Sequence, residues 1–156
     1  MLNLEIESIG QDKDKWLSDG IAHYQKLLNK FAKVRMITHK SPKLSASLSP
    51  LEIKKGEAAM FERRNFRGLT VALSDKGKSF SSEELAKQLE IMITRSSGTI
   101  RFLIGGPYGL DESIIKKAND VLSLSPLTFS HQLVRIVLLE QLFRAFSINS
   151  GDPYHK

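Results

Sequence analysis

The feature that most constrains this chain is a regular alternation of short apolar runs with longer segments of helical spacing. Thr99–Ile104 is nearly all apolar, which predicts a strand that is buried on both faces. Between such runs, apolar residues recur three and four positions apart, as they do along one face of a helix. The alternation predicts an α/β domain with a largely parallel sheet covered by helices on both faces. The predicted strands are Leu2–Ile9, Val34–Thr38, Leu69–Leu73, Thr99–Ile104 and Val121–Leu124.

Capping residues mark where the predicted helices begin. Ser81 and Glu84 have the spacing of a capping box, and Ser49 and Glu52 repeat it with a proline at the first helical position. The helices are therefore expected to begin near Asp12 or Asp14, Ser49, Ser81, Asp111 and Ser130.

Length and composition bound the class of protein. With 156 residues, 41% of them hydrophobic and 26% charged, the chain fits one globular domain, and no repeat or linker divides residues 1–156. The absence of cysteine excludes disulfides, cysteine-ligated zinc, iron–sulfur clusters and thiol catalysis. No apolar run approaches the ~20 residues of a membrane helix, and the first residues lack a basic lead and an apolar signal core. We therefore expect a soluble cytoplasmic protein without a membrane partner.

The positive charge is concentrated in one quarter of the chain. The formal net charge is +6, and the stretch from Lys30 to Arg67 carries ten basic and three acidic residues. Such a surplus suits an anionic partner, most often nucleic acid. A solvated basic face is the alternative, and aromatic residues suited to base stacking are few in this stretch.

Glycines directly after a buried strand indicate a ligand site. Gly105, Gly106 and Gly109 follow Thr99–Ile104, and in open α/β sheets ligands bind beyond the carboxyl ends of strands. The segment Leu122–Thr128 mixes apolar side chains with small hydroxyls, which suits an adenine ring and its polar edge. A tight strand-to-helix turn and a plain strand–loop–helix joint remain the alternatives. The four histidines form no metal-binding motif, so no metal is expected.

The last predicted helix, Ser130–Ser147, is apolar around almost its whole circumference. Such a helix must be covered on all sides, which predicts either a homodimer interface or a centrally buried helix. Among its polar exceptions, His131 and Arg135 share a face, and Arg144 lies on roughly the opposite side. The tail 149–156 is either a frayed end of random composition or a functional segment, since its Tyr, His and Lys side chains can bond phosphate, stack on a base or move a proton.

Five ordered motifs resemble one family throughout the chain. They are Leu103-Ile104-Gly105-Gly106-Pro107-Tyr108-Gly109, Leu124-Ser125-Pro126-Leu127-Thr128, His131-Gln132-Leu133-Val134-Arg135, Glu140–Ile148 and Pro153-Tyr154-His155. By these motifs the sequence resembles the RlmH family, the ribosomal RNA large subunit methyltransferase H family of SPOUT methyltransferases. The resemblance implies a SPOUT-type sheet with a C-terminal trefoil knot, which no periodicity argument detects. It also implies S-adenosylmethionine as the cofactor and N3-methylpseudouridine in large-subunit (23S) rRNA of assembled ribosomes as the product.

The resemblance also implies the residues of the site. The cofactor-binding residues would be Leu73, Gly105, Leu124, Ser125, Pro126, Leu127, Thr128 and Phe129. Because the N3 proton of the base must leave, the reaction needs a base or a cation that stabilises the enolate. The candidates for catalysis are His131, Arg135, Arg144, Tyr154 and His155. In a homodimer of this kind, the tail of one subunit would close the site of the other. The residues expected to hold the rRNA backbone are Lys40, Lys43, Lys54, Lys55, Arg63 and Arg64.

Two other classes of protein remain open at this point. One is a non-catalytic RNA-binding or ribosome-assembly factor on the same fold, which would not need tight cofactor binding. The other is a nucleotide-binding regulatory domain, which would need neither the basic stretch nor the tail.

Overall fold

The structure is a computed structural model that describes residues 1–11, 13–41 and 47–156. Asp12 and Lys43, named above as a possible helix cap and a possible rRNA contact, lie outside these ranges. The described strands are β1 (Leu2–Ile9), β2 (Ala32–His39), β3 (Leu69–Ser79), β4 (Thr99–Ile104) and β5 (Asp120–Ser123). The described helices are α1 (Lys15–Leu28), α2 (Pro50–Glu62), α3 (Ser82–Arg95), α4 (Glu112–Lys117) and α5 (Leu133–Ser150). The predicted alternation of strands and helices is confirmed.

All five described strands lie in one parallel sheet with the order β2-β1-β4-β3-β5. β3 departs from the prediction, because it extends to Ser79 instead of ending at Leu73. It pairs with β5 up to Leu73, leaves the ladder, and pairs again from Lys78. Gly77 permits this second approach, since a Cβ at that position would lie 2.8 Å from the backbone of β5.

One face of the sheet is covered by α1, α3 and α5, with α5 in contact with both of the other helices. α5 begins at Leu133, later than the predicted Ser130, and Gly151 ends it in a left-handed conformation with φ 73°. Leu138 and Leu142 of α5 are 0% and 1% exposed within a single protomer. Burial inside the protomer therefore accounts for most of the apolar circumference of this helix, and these two leucines are not available to a second copy.

The opposite face of the sheet carries α2, α4, a smaller apolar cluster and several buried charges. Because side chains alternate along a strand, Leu4 and Ile6 of β1 point to the α1–α3–α5 side, and Glu5 and Glu7 point to the α2–α4 side. Glu5 is 6% exposed and Glu7 is 0% exposed. Charges this deeply buried require partners.

Arg64, just after α2, supplies the main partner for both carboxylates. Its guanidinium lies 2.9 Å from Glu5 and 2.7 Å from Glu7. His39 of β2 lies 2.6 Å from Glu7 Oε1, and Arg101 of β4 lies 3.5 Å from Glu7 Oε2. We call Glu5, Glu7, His39, Arg64 and Arg101 the buried charge cluster. It joins α2 to three neighbouring strands, with each carboxylate bound to at least one cation.

Capping side chains begin α2, α3 and α4 at Ser49, Ser81 and Asp111, as the sequence predicts. In α3 the Ser81 hydroxyl accepts from the Glu84 N–H and the Glu84 carboxylate accepts from the Ser81 N–H, so the capping box is complete. In α2 the Ser49 hydroxyl accepts from the Glu52 N–H, but the Glu52 carboxylate accepts from that same hydroxyl instead of from the backbone. α1 begins directly after Asp14 as predicted, but the Asp14 side chain makes no capping hydrogen bond.

Candidate functional site

A cavity of about 630 Å³ opens at the carboxyl edge of the sheet. Leu73 of β3, Ile104 of β4 and Leu122 of β5 bring three neighbouring strands to its wall. The loop after β4 and the segment between β5 and α5 complete it. The volume lies in the usual range of small-molecule sites, and the position agrees with the rule that ligands bind beyond the carboxyl ends of parallel strands.

The loop after β4 has a backbone shape that requires glycine. A Cβ at Gly105 would lie 2.5 Å from the carbonyl carbon of Gly109, so the loop can close on itself only if residue 105 lacks a side chain. Gly109 has φ 81° and donates its N–H to the Gly106 carbonyl at 3.0 Å. The sequence analysis left a ligand site and a tight turn open for these glycines, and the first neighbours of a Cβ at Gly105 are backbone atoms of its own loop, as a tight turn requires. We call residues 105–109 the glycine loop.

Small hydroxyls shape the segment after β5. The Ser123 hydroxyl donates to the Ser125 carbonyl at 3.1 Å, and the Ser125 hydroxyl accepts from the Leu127 N–H at 3.0 Å. These bonds hold a turn in which Leu127 lines the cavity while its side chain is 71% exposed. An apolar side chain this exposed beside a cavity is suited to cover an apolar ring.

His131 and Arg135 lie together where this segment enters α5. Both approach Gly10, where a Cβ would lie 3.3 Å from the Arg135 guanidinium and 3.4 Å from the His131 ring. His131 lines the cavity, whereas Arg135 is 0% exposed and donates from Nη2 to the Ile9 carbonyl at 3.2 Å. Burial lowers the pKa of the Arg135 guanidinium. Arg135 ties the start of α5 to the end of β1, and His131 is the member of the pair that reaches the cavity.

The C-terminal tail folds back onto its own protomer. The Tyr154 hydroxyl donates to Glu140 Oε1 at 3.1 Å, and Arg144 Cζ lies 4.8 Å from the centre of the Tyr154 ring. Arg144 Nε donates to the same Glu140 carboxylate at 3.1 Å. His155 lies 3.2 Å from Arg144 Nη1 and 2.9 Å from Glu83 of α3. We call Glu140, Arg144, Tyr154 and His155 the tail cluster, which contains three of the five predicted catalytic residues.

Hydrogen bonding and burial determine the protonation states of Arg144 and Tyr154. The hydrogen bonds to Glu140 raise the pKa of the Arg144 guanidinium. Burial, reinforced by the Glu140 carboxylate, raises the pKa of the Tyr154 phenol above its usual range. At neutral pH Arg144 is therefore a fixed cation and Tyr154 a hydrogen-bond donor, and neither is suited to accept a proton.

The predicted catalytic residues thus fall into two separate groups. α5 begins beside the cavity at Leu133 and reaches Arg144 about 16 Å further along its axis. Of the described residues that line the cavity, none belongs to the tail cluster. A single chain therefore presents a cavity with His131 and, at a distance, a cluster with Arg144, Tyr154 and His155.

Comparison with known proteins identifies the family. Residues 2–155 match the family model described as "Predicted SPOUT methyltransferase". The chain is 43% identical over 159 residues to the ribosomal RNA large subunit methyltransferase H of Lactobacillus delbrueckii subsp. bulgaricus, with 99% of this chain and 100% of that protein covered. The chain belongs to the ribosomal RNA large subunit methyltransferase H family. A protein of the same name from Bacillus cytotoxicus is 41% identical over 159 residues, again with 99% of this chain and 100% of the relative covered.

Solved structures of low sequence identity share the fold of this family member. A probable methylase family protein from Haemophilus influenzae Rd KW20 has a TM-score of 0.55 at 12% identity, over 99% of this chain and 70% of that chain. A putative methyltransferase from Legionella pneumophila, solved in complex with the bound cofactor SAM, has a TM-score of 0.52 at 12% identity, over 93% of this chain and 66% of that chain. These likenesses confirm the α/β fold, and the match to the family model confirms that it is of the SPOUT type.

The cavity of this methyltransferase H family member contains most of the predicted cofactor residues. Seven of the eight line it: Leu73, Gly105, Leu124, Ser125, Leu127, Thr128 and Phe129. The eighth, Pro126, is not among the described lining residues. The sequence analysis missed further lining residues, namely Lys54, Ser74, Asp75, Lys76, Tyr108 and Glu112. Residues 74–76 directly follow Leu73, the predicted end of β3, and this position could have identified them as lining residues from the sequence. Lys54 belongs to α2, and only the packing of that helix beside the glycine loop brings it to the cavity.

A buried carboxyl supports the glycine loop from the α2 side. Glu57 is 2% exposed, and neither of its side-chain oxygens has a hydrogen-bond partner among the described residues. A Cβ at Gly106 would overlap Glu57 Oε2 and lie 3.2 Å from its Cδ, so the carboxyl lies directly against that glycine. Burial raises the pKa of Glu57 to about 6. The sequence analysis assigned it no role, since nothing in the sequence separates it from the solvated charges of a basic helix.

The described part of the chain contains neither a group of metal ligands nor a membrane-spanning helix. Among residues 1–11, 13–41 and 47–156, no three His, Asp or Glu side chains are grouped so as to hold a metal ion. Within the same ranges no helix has the length and apolarity to cross a membrane.

Proposed function

We propose that this protein transfers a methyl group from S-adenosylmethionine to N3 of a pseudouridine in large-subunit rRNA, and that it acts on the assembled ribosome. Membership of the family supports methyl transfer to large-subunit rRNA. The observation that carries the proposal is that seven of the eight cofactor residues implied by the family meet at one cavity at the carboxyl edge of the sheet. A non-catalytic RNA-binding factor would have no need of such a cavity.

The residues of the cavity fit this cofactor in size and chemistry. Leu73 and Leu124 are apolar walls suited to the adenine ring, and the backbone of the glycine loop is suited to its polar edge. Asp75 and Glu112 are acidic groups in the same wall, and Lys54 is a basic one, which suits an amino acid moiety with charges of both signs. When bound, the cofactor supplies a methyl group on a positively charged sulfonium.

Residues of the chain must then hold the target base and remove its N3 proton. The fixed positive charge of Arg144 is suited to stabilise negative charge that develops on the base. Tyr154 is held as a donor with an aromatic face, which suits bonding to the base or stacking on it. His131 and His155 are then the remaining candidates for the proton acceptor. Arg135 positions the start of α5 through its bond to the Ile9 carbonyl.

A homodimer brings the two groups of residues together. In one protomer the tail cluster lies about 16 Å along α5 from the cavity, so a two-fold partner that lays its tail over the cavity completes the site. α5 keeps a partly exposed stripe for such an interface, since Leu133, Val137, Gln141 and Arg144 lie three or four residues apart and none is fully buried. We also expect the C-terminal trefoil knot of the SPOUT fold.

The rRNA backbone contacts exposed basic residues of the stretch from Lys30 to Arg67. Lys40, Lys55 and Arg63 are exposed. Such contacts hold the RNA without reading its sequence. Two of the basic residues expected there differ: Arg64 is engaged inside the protein with the two carboxylates of β1, and Lys54 lines the cavity. A ribosomal substrate also implies that the protein works in the cytoplasm.

Complementation between two inactive variants tests the proposal. Gly105→Val drives a branched side chain into the Gly109 backbone and is expected to abolish cofactor binding. Deletion of Pro153–Lys156 removes Tyr154 and His155 but leaves the described cavity residues in place. Each variant alone should leave ribosomes unmethylated. Co-expressed, they should recover about a quarter of the wild-type rate, because about half of the dimers are mixed and each mixed dimer has one complete site.

Three measurements test methylation, cofactor binding and dimerisation separately. Mass spectrometry of rRNA nucleosides follows methylation, calorimetry follows cofactor binding, and light scattering follows the dimer. The tail-deleted variant should bind the cofactor and stay dimeric, and Gly105→Val should keep its circular dichroism spectrum. Failure of two dimeric variants to complement would mean that each site is complete within one protomer. Wild-type protein that leaves large-subunit rRNA unmethylated on assembled ribosomes would overturn the proposed function itself.

A further inference from the structure

Glu57 is a buried titratable group that the methyl transfer outlined above does not use. Its side chain is 2% exposed, and both of its oxygens lack a hydrogen-bond partner among the described residues. Its neighbour Ala58 and, one turn on, Phe61 belong to the smaller apolar cluster. A carboxyl in such surroundings is costly in either charge state and most costly when ionised. This location therefore calls for a reason other than stability.

The position of the carboxyl relative to the cavity supplies that reason. Glu57 lies directly against Gly106, where an added Cβ would overlap Oε2. Gly105, Gly106 and Pro107 all line the cavity, so one layer of backbone separates the carboxyl from the space that the cofactor occupies. In this apolar region a charge is weakly screened and acts strongly on any charge placed beyond the loop.

Among the described residues, no charged group of a neighbouring element hydrogen-bonds to the Glu57 carboxyl. On the same helix, Lys54 and Lys55 act on Asp111 at the start of α4. On the sheet, Glu7 is bound within the buried charge cluster. The pKa of Glu57 is raised to about 6 by burial, with no contribution from a neighbouring charge. The protonation of this carboxyl is thus free to respond to a charge in the cavity.

We propose that Glu57 is a positioning residue that makes the cavity selective for the charge of its ligand: its carboxylate favours the positively charged sulfonium of S-adenosylmethionine over the neutral thioether of S-adenosylhomocysteine. This inference rests on the proposed cofactor site. Cofactor and product differ in the methyl group and in the charge on sulfur. A negative charge behind the glycine loop therefore strengthens binding of the cofactor relative to the product, so that fresh cofactor replaces the product more readily after transfer.

The coupling between Glu57 and the ligand is reciprocal, and it predicts a pH dependence. A cation in the cavity favours the ionised carboxylate, so the ionised carboxylate favours the cation by the same factor. The preference is fully present well above pH 6, where the carboxyl is ionised, and it is lost as the pH falls through about 6 and the carboxyl becomes neutral. His131 also lines the cavity and is titratable, so the wild-type protein must be compared with a Glu57 variant at each pH.

Calorimetric titration of the full-length protein with both ligands tests the proposal. Glu57→Gln keeps the shape of the side chain and removes its charge. Glu62→Gln is the matched control, because Glu62 lies on the same helix but pairs with Lys117 at 3.0 Å, away from the glycine loop. For wild-type and Glu62→Gln proteins, the ratio of the affinities for S-adenosylmethionine and S-adenosylhomocysteine should rise about fivefold between pH 5 and pH 8. For Glu57→Gln most of this rise should be lost.

The possible outcomes distinguish an incorrect role for Glu57 from an incorrect cofactor site. A folded Glu57→Gln protein with the wild-type ratio at both pH values overturns the role of Glu57 while the cofactor site stands. A wild-type protein that binds neither ligand overturns the proposed cofactor site and this inference with it. If Glu57→Gln does not fold, proton release on binding is measured in a His131→Gln background, in two buffers of different ionisation enthalpy. S-adenosylmethionine should then release more protons near pH 6 than S-adenosylhomocysteine, and equal release contradicts the proposal.

Discussion

The two faces of the sheet have interiors of different chemistry. The α1–α3–α5 face holds the larger apolar cluster, to which all three helices contribute aliphatic side chains. The α2–α4 face holds a smaller apolar cluster, the buried charge cluster and Glu57. The comparison teaches that deeply buried carboxylates are concentrated on the face where α2 reaches the glycine loop. Stability on one face depends on packed volume, and on the other it depends on whether each charge keeps its partners.

Removal of a central carboxylate should have the largest effect on stability. Glu7→Ala leaves Arg64, Arg101 and His39 with one carboxylate fewer in a buried region, so we expect a loss of about 4 kcal/mol in the free energy of unfolding. Urea denaturation at neutral pH measures this loss. Arg35→Ala is the control, because its guanidinium is mostly exposed and should cost less than about 1 kcal/mol. Equal small losses for both variants would mean that the cluster is no more important than a surface pair.

A cavity on the apolar face should cost somewhat less. Leu142→Ala removes a side chain that is 1% exposed, and we expect a loss of about 3 kcal/mol. Because Leu142 is buried within one protomer, the loss should not depend on protein concentration. Leu133 is 41% exposed, so in the proposed homodimer Leu133→Ala should instead weaken dimerisation with little effect on the single chain. Light scattering and denaturation over a range of protein concentrations distinguish the two variants. If Leu142→Ala weakened dimerisation and Leu133→Ala destabilised the single chain, α5 would not be a helix buried in its own chain.

Removal of the Glu57 charge should raise the stability of the folded protein, whereas the two preceding substitutions lower it. The pKa of this carboxyl is raised from 4.5 to about 6 in the folded protein, so folding favours its protonated form. Wild-type stability attributable to Glu57 is therefore fully present below pH 4.5 and is lost as the pH rises through 6. Glu57→Gln should be more stable than wild type by about 1 to 2 kcal/mol at pH 8, with no difference near pH 4. Thermal unfolding at both pH values measures the gap, and a gap of the same size at each pH would rule out titration as its cause.

Removal of a helix cap should have the smallest effect on stability. The caps of α3 and α2 allow one such removal on each face of the sheet. Ser81→Ala breaks a complete capping box on α3 and should cost about 1 kcal/mol. Ser49→Ala removes a cap on α2 in which only the hydroxyl-to-backbone half of the box is formed, so its cost should be smaller. Denaturation of both variants under one set of conditions tests the order, and a larger loss for Ser49→Ala would contradict it.

Local features of the fold were predictable because they depend on neighbouring residues. The bounds of β1 and β4 agree with the predicted Leu2–Ile9 and Thr99–Ile104, since apolar patterning acts along a single strand. The complete box at Ser81 was predictable for the same reason, because both of its bonds lie within one turn. β3 was predicted too short, because its last residues pair with β5 only after Gly77 lets the two backbones meet.

The candidate site was predictable in part. The position of the cavity followed from glycines after a buried strand and from the motifs of the family, and most of the cofactor residues named from those motifs line it. The docking of the tail was not predictable, because Tyr154 and His155 bond to Glu140 and Glu83, which lie on two different helices. The separation of His131 from the tail cluster likewise depends on the path of the whole of α5.

The sequence alone was sufficient for the α/β class, the bounds of β1 and β4, the starts of α1 to α4 and the family, because periodicity, capping and ordered motifs are properties of adjacent or consecutively ordered residues. Only the tertiary structure decided the strand order, the burial of α5 within its own protomer and the placement of Glu57 against Gly106. These last two residues are far apart in the chain, and nothing local distinguishes Glu57 from the exposed charges around it. Their contact arises because α2 packs across the sheet beside the loop after β4, and such a contact depends on the packing of every element between them.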